Sequence, residues 1–346
     1  MLYFATYFDN NYLSRGIALY NSLNENCKDF FLLYVLCLDE ATEQYFHHNQ
    51  FDFPHVKTIT LSEIEQFDTE LHQSKKNRSI IEYYFTLSPC LPLYLLQKFN
   101  LSHICTLDAD ILFLSNPKSL FDYLENHSIV ITPHKFSSEI KELEIFGKYN
   151  VSFQIFKNNE IGNACLKKWR EQCIAWCSDV YDEENQRFAD QKYLDDWINL
   201  YGNEVKELND AVSGIAPWNL NNYQFKFLNN TFYSNSQAII FYHFHHFKLF
   251  TNSLATNGFY FYKVKPNKIL HQLYLYYWNK IDAWNKQLNI EKDNIKRTHL
   301  SQKNSVYKKL LDEGVAYFKL SSKKIIYLDF QTTKGRVFKY LIKYYA

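Results

Sequence analysis

The first third of the chain alternates short apolar and aromatic runs with segments whose apolar residues recur at helical spacing. Leu2–Phe8 reads as a strand. Leu13, Ile17, Tyr20 and Leu23 then fall on one side of a helix, with Asn11 as its expected cap. Phe30–Leu38 is continuously apolar, as a strand buried on both faces requires. A short helix follows, and Val56–Leu61 supplies a third strand. Helical spacing resumes at Ser79–Ser88, and Pro89 and Pro92 predict an interruption before Leu93–Phe99 continues it. Ser102–Leu107 is a further strand that runs straight into Asp108-Ala109-Asp110. Such alternation predicts βαβ units and an α/β fold with a mostly parallel sheet flanked by helices.

Beyond the Asn116-Pro117 turn, Leu120–Leu124 reads as helical, and Ile129–Thr132 and Tyr149–Phe156 read as strands. Glu160–Cys177 and Phe188–Leu200 are patterned as amphipathic helices, and Ala238–Phe247 as the last strong strand of the body. Lys268–Leu288 and Ser305–Phe318 are expected to be helices, with Lys324–Phe330 a final strand.

Charge divides the chain where periodicity does not. Residues 263–346 carry 18 Lys+Arg against 6 Asp+Glu, a net of +12; of the 38 and 37 in the whole chain this leaves 20 against 31, or −11, for residues 1–262. We therefore expect a main domain over 1–262 and a basic, aromatic-rich, helical appendage over 263–346. That tail is a candidate surface for an anionic glycan acceptor, a peripheral membrane contact or an oligomer contact, and a solvated charged helix accounts for it equally. An acidic body argues against nucleic acid as a partner. The seven cysteines have no paired metal spacing, and free thiols in core-like strands fit a reducing compartment. With no basic leader at the start and no apolar run of about 20 residues, the expectation is a cytoplasmic protein, at most peripheral at the inner membrane.

The sharpest chemistry lies in TLDADILFLSNP. A buried strand delivers Asp108 and Asp110 at its carboxyl end, the edge where open α/β sheets hold ligands. Strand alternation turns both carboxylates to one side, with small Ala109 between them. Two hard oxygen ligands suit Mn²⁺ or Mg²⁺, which complete their shells with diphosphate oxygens and water. FYHFHHFK adds His243 and His245 on one face of a late strand, either of them a further ligand, and Lys248 as a point charge for phosphate. In FADQKYLDDW, Asp190 and Gln191 open a helix, where N–H groups favour anions, although a plain cap accounts for Asp190 as well. Asn150 is polar within an apolar strand, Trp218 offers a face to a sugar, and Arg78, Glu82 and Thr86 share or precede one helix face as candidates to reach the nucleotide or its phosphates.

LDADILFLSNP resembles the Asp-x-Asp (DXD) region of GT-A glycosyltransferases. FATYFDNNYLSRGIALYNSL is similar to their first nucleotide-binding strand and helix. YNVSFQIFKNNE resembles their Tyr-Asn-Ala-Gly-Phe strand, and FADQKYLDDW their Asp-Gln helix start. FYHFHHFK resembles the His-Phe-x-Gly-x-x-Lys segment of the glycogenin and lipopolysaccharide galactosyltransferase family. Order and approximate spacing match over residues 1–250, and the tail has no counterpart. The resemblance implies that Thr6, Tyr7 and Asp9 contact the nucleoside, that Asp108, Asp110 and His243 bind Mn²⁺, and that Lys248 reaches the diphosphate. It places Asn150, Asp190 and Gln191 at the donor sugar. His246 stands where the family has Gly, and Lys248 comes one residue early with no Pro-Trp after it, so His245 stays open as the alternative ligand. The implied activity is retaining transfer of a hexose from a UDP-linked sugar to a hydroxyl of a bacterial surface glycan or lipid-linked glycan. Competing readings are a glycan- or lipid-carrier-binding protein with a degenerate site, and a sugar nucleotidyltransferase. The latter calls for a Gly-rich phosphate loop, and Gly16 is the sole glycine in the first hundred residues.

Overall fold

The computed structural model describes residues 1–251, 254–288, 315–321, 324–329 and 338–343. Its first eight strands are β1 (Leu2–Phe8), β2 (Phe31–Cys37), β3 (Val56–Thr60), β4 (His103–Leu107), β5 (Ile111–Phe113), β6 (Ile129–Pro133), β7 (Tyr149–Lys157) and β8 (Val205–Glu207). All except β5 form one sheet in the order β3-β2-β1-β4-β7-β6-β8. β3, β2, β1 and β4 are mutually parallel, β7 runs against both neighbours, and β6 and β8 are parallel to each other. The expected α/β architecture, mixed but mostly parallel, is the one observed.

Alternation along the strands sorts side chains to two cores. Phe4, Leu33, Val35 and Phe153 pack beneath the helix Leu13–Asn26. Tyr34, Leu36, Ile104 and Phe156 face the helices Ile80–Phe99 and Glu160–Ala175, with Trp169 and Trp197 fully buried among them. Covering both faces is what a parallel sheet requires and why β2 reads as an unbroken apolar run.

Further along lie β9 (Phe225–Leu228), β10 (Thr231–Ser234) and β11 (Gln237–Ala238), an antiparallel trio, and then β12 (Phe241–His243), which pairs antiparallel with β5. β13 (Lys248–Thr251), β14 (Leu254–Thr256), β15 (Val315–Ser321), β16 (Lys324–Asp329) and β17 (Phe338–Lys343) make an antiparallel five-stranded sheet in that order. The helix Lys268–Leu288 places Leu270, Leu273, Tyr274, Tyr277, Trp278 and Ile281 in a core shared with Tyr242, Phe244 and Phe247. Phe244 and Tyr277 stack at 3.8 Å between ring centroids. Residues on either side of position 263 thus build one apolar cluster. No helix among the described residues is long and apolar enough to cross a membrane.

Four local expectations are corrected. Pro89 and Pro92 lie inside one continuous helix, Ile80–Phe99. Every residue from Thr86 to Leu96 is buried, and packing on the sheet and against Glu160–Ala175 outweighs the two lost N–H donors. The Phe188–Leu200 pattern does not make one helix. Ala189 sits at φ 46°, and only a 3₁₀ segment (Gln191–Asp196) and a short helix (Trp197–Tyr201) follow. The late strand stops at His243, because His246, at φ 61°, turns the chain. In the tail, Val315–Phe318 begins β15 rather than ending a helix, and residues 305–314 of that expectation lie outside the described residues. One helix and three strands therefore make up the described part of the appendage.

Candidate active site

β1 and β4 are neighbours, yet the chain leaves them toward opposite sides of the sheet, to β2 on one hand and past β7 on the other. At such a switch point the carboxyl ends of the strands open a crevice. The ends of β1, β4 and β6 and the start of β7 share this edge, bringing Tyr7, Asp108, His134 and Asn150 to it.

Asp108 and Asp110 lie just past β4, on a turn rather than a strand, closed by the Ile111 N–H donating to the Asp108 carbonyl at 3.2 Å. The Asp108 N–H donates to the Ser152 carbonyl of β7 at 3.0 Å, which pins the turn to the sheet. The third member arrives through β12. His243 pairs with Ile111, its N–H donates to Ile215 at 2.9 Å, and the Phe244 N–H donates to the Asp110 carbonyl at 3.0 Å. These bonds set the imidazole Nε2 at 3.0 Å from Asp110 Oδ1 and 3.5 Å from Asp108 Oδ2. One ligand atom from each of the three residues fits within a 4.8 Å span. Two carboxylates and an imidazole form an oxygen-rich set suited to a divalent Mn²⁺ or Mg²⁺. His245 stands outside this group. Its ring lies 5.4 Å from that of His243, between Trp218 and His246.

Charge within the group is strongly coupled. For Asp110, burial raises the pKa, but the charge and hydrogen bond of His243 outweigh it and hold the carboxylate at about 2. For Asp108, whose side chain keeps 37% exposure toward the cleft, burial and then the charge of Asp110 raise the pKa against the pull of His243. Burial works to lower His243, and the two carboxylates raise it. His245 is held well below the ordinary value by burial and by the charge of His243.

From the acidic group opens a cleft of about 410 Å³. Asn150 lies in its wall. The Asn150 Oδ1 accepts from the Ser152 N–H (3.1 Å) and hydroxyl (2.5 Å), while its Nδ2 is buried without a partner. Asp190 is 2% exposed, its Oδ2 has no partner, and burial pushes its pKa up to about 7. Its carbonyl accepts from the Trp169 indole at 2.9 Å, which fixes the turn. Gln191 donates its Nε2–H to the Phe146 carbonyl at 2.9 Å and lines the same wall. Behind Asp108, a void of about 20 Å³ is bordered by Tyr7, Ser88, Thr106 and Gln154. The Tyr7 hydroxyl meets the Ser88 hydroxyl at 3.0 Å, and burial, then the charge of Asp190, raises its pKa.

Of the remaining sequence candidates, Thr6, Asp9, Arg78 and Lys248 are not among the residues that line the cleft. Thr6 is buried in β1 with an unpartnered hydroxyl. Asp9 accepts from the Asn11 N–H at 3.0 Å and caps the 3₁₀ turn Asn10–Tyr12. Asn11, expected to cap the helix Leu13–Asn26, lies inside that turn, and Tyr12 holds the cap position. Arg78 lies at the far end of Glu160–Ala175, donating to the carbonyls of Cys173 (3.2 Å) and Ile174 (3.0 Å). Lys248 opens β13 opposite Thr256 and does not line the cleft. Trp218 does line it, 5.3 Å from the His243 ring, with its indole N–H unpartnered.

Sequence reasoning missed His134, Phe136, Phe146, Phe188, Phe261 and Tyr262, which complete the wall. For His134 a signal existed, because it follows a strand parallel to β4 and so falls on the ligand-bearing edge. It also missed Arg15, buried in the helix Leu13–Asn26, which donates to the Phe247 carbonyl at 3.3 Å and contributes to lowering Asp110.

No family model matches the chain. It is 27% identical over 284 residues to the uncharacterized protein YfnD of Bacillus subtilis (strain 168), covering 82% of this chain and 89% of that one. Among solved structures it overlaps apo mouse xyloside xylosyltransferase 1 over 62% of this chain and 87% of that one, at 12% identity and a TM-score of 0.41. It also overlaps the galactosyltransferase LgtC in complex with donor and acceptor sugar analogs, over 62% and 75% of the two chains, at 14% identity and a TM-score of 0.42.

Proposed function

We propose that this chain is a metal-dependent glycosyltransferase that moves a hexose from a nucleotide sugar, UDP-linked, to a hydroxyl of a glycan. The observation that carries this reading is the convergence of Asp108, Asp110 and His243 within 4.8 Å at the switch-point edge, beside a cleft with unpartnered polar groups.

Asp108, Asp110 and His243 would hold Mn²⁺ or Mg²⁺. When bound, the ion supplies positive charge against the diphosphate leaving group. The Asn150 Nδ2 donates to a hydroxyl of the donor sugar and fixes its ring. Asp190, balanced near neutral pH, accepts from or donates to a second hydroxyl. Gln191, anchored through its amide to Phe146, closes the wall beside them. Holding sugar and acceptor in one aromatic-walled cleft supplies the orientation that transfer needs. Asp108 and Asp190 are the only carboxylates among the described lining residues; Asp108 is assigned to the metal and Asp190 to a donor hydroxyl, which leaves none of them for the anomeric carbon. That supports retention by attack on the face the leaving group vacates.

Heat measured on titrating UDP into the protein, with Mn²⁺ and with chelator, tests this. Metal-dependent binding that disappears in Asp110→Asn is expected. Equal, metal-independent binding by both proteins would sink the assignment.

A further inference from the structure

Basic residues flank the cleft in sequence but do not face it. Among the described lining residues there is no lysine or arginine. Lys135, between His134 and Phe136, donates to the Asp210 carbonyl at 2.7 Å. Arg187, next to Phe188, bonds Asp182 at 2.6 Å and lies over the Trp176 ring. Lys192, next to Gln191, pairs with Asp195 at 2.9 Å. Lys263, next to Tyr262, donates to the Glu139 carbonyl at 2.7 Å.

Aromatic rings form the outer part of the wall instead. Phe146 and Phe188 are half-buried and meet at 4.9 Å, and Phe261, 55% exposed, stacks on His246 at the mouth. Deeper in, His134 stacks on Phe136 at 4.5 Å and meets the edge of Trp218 at 5.0 Å. Both are at most 5% exposed, and His134 Nδ1 and Trp218 Nε1 have no partner. A buried polar atom without a partner is costly, and a ligand hydroxyl removes that cost. Burial pushes His134 down to about 3, so its imidazole adds no positive charge at neutral pH.

Resting on the glycosyltransferase reading, we propose that the acceptor entering this cleft is an uncharged pyranoside. Its C–H face packs on Phe146, Phe188 and Phe261, and its hydroxyls bond Trp218 Nε1 and His134 Nδ1. A carboxylate or phosphate on that sugar meets no lysine or arginine among the described lining residues, the charge of a bound metal is opposed by the donor diphosphate, and Asp190 lies near, so burying it is unfavourable.

The test is binding of methyl hexopyranosides, their uronic-acid counterparts and the 6-phosphates to the full chain at saturating UDP and Mn²⁺, followed by saturation-transfer NMR. At least one neutral glycoside binds, and its charged counterparts bind at least about tenfold more weakly. Phe261→Ala, at an exposed position whose folding thermal melting checks, and Trp218→Phe, which keeps a ring and removes the N–H, each weaken the neutral ligand about fivefold to tenfold. Charged sugars binding as tightly, variants binding like the parent, or no glycoside binding to a protein that does bind UDP would each overturn the proposal. Failure to bind UDP is a separate result, which removes the transferase reading and this one with it.

Discussion

His243 Nε2 stands 3.0 Å from Asp110 Oδ1, joined to it across the β5–β12 pairing from a distant part of the chain. The two carboxylates raise the imidazole's pKa, so its proton is retained to higher pH than in an ordinary histidine. A metal takes the neutral ring, so binding below that raised value displaces the proton. Titrations of Mn²⁺ near pH 6 in buffers of different ionisation heat are expected to show release approaching about one proton. Release should fall as pH rises, and His243→Ala should bind more weakly and release less, the remainder coming from Asp108, whose pKa burial also raises. Heats independent of buffer would remove His243 from the ligand set.

Asp190 makes stability fall with pH. Its carboxyl ionises at about 7 in the folded chain against an ordinary value of 3.8, because burial disfavours the charge. The folded state therefore holds the proton more tightly than the unfolded state. The stabilisation is full below the ordinary value and is lost as pH rises through about 7. The loss over the whole range is on the order of 4 kcal/mol, of which roughly 3 kcal/mol falls between pH 5 and pH 8. Urea unfolding at pH 5 and pH 8 checks it. Asp190→Asn, neutral at both, is expected to show a smaller difference, and an unchanged slope would contradict the assignment.

Gly214 carries the chain toward Trp218 at φ 66°, where a Cβ would lie 2.5 Å from Thr132 Cγ2. Its carbonyl also accepts from Asn219 Nδ2 at 2.8 Å, which holds the turn bearing Trp218. Gly214→Ala combines left-handed strain with overpacking and is expected to cost about 2–4 kcal/mol in unfolding free energy. A loss below about 0.5 kcal/mol, the scale of an ordinary surface change, would show that the turn relaxes freely.

Arg78 serves a helix end. Its two bonds to the carbonyls of Cys173 and Ile174 satisfy acceptors at the C-terminus of Glu160–Ala175. Arg78→Ala is expected to lower stability by about 1–2 kcal/mol and leave UDP affinity in Mn²⁺ unchanged. Weaker UDP binding with unchanged melting would restore the nucleotide role that the sequence suggests.

The alternation of apolar runs and helical periodicity was enough, read alone, to establish a mostly parallel α/β sheet. The reason is that burial on both faces leaves an unmistakable pattern in residues such as Phe31–Cys37. The acidic pair was legible too, since a strand must end where its ligands begin. Local pattern failed where tertiary contacts outweighed it. Pro89 and Pro92 read as a break and are absorbed by packing, while Ala189 and His246 take left-handed turns that no propensity signals. The choice of His243 over His245 as the neighbour of Asp110 depended on the β5–β12 register, which one sequence does not encode in any local window. The aromatic cleft depended on the fold in the same way. Phe146, Phe188 and Phe261 lie on separate turns and are unremarkable among 29 phenylalanines until the chain closes around them. Periodicity records which side of an element is buried, whereas a site is assembled from elements far apart in sequence, and only their packing decides which side chains meet.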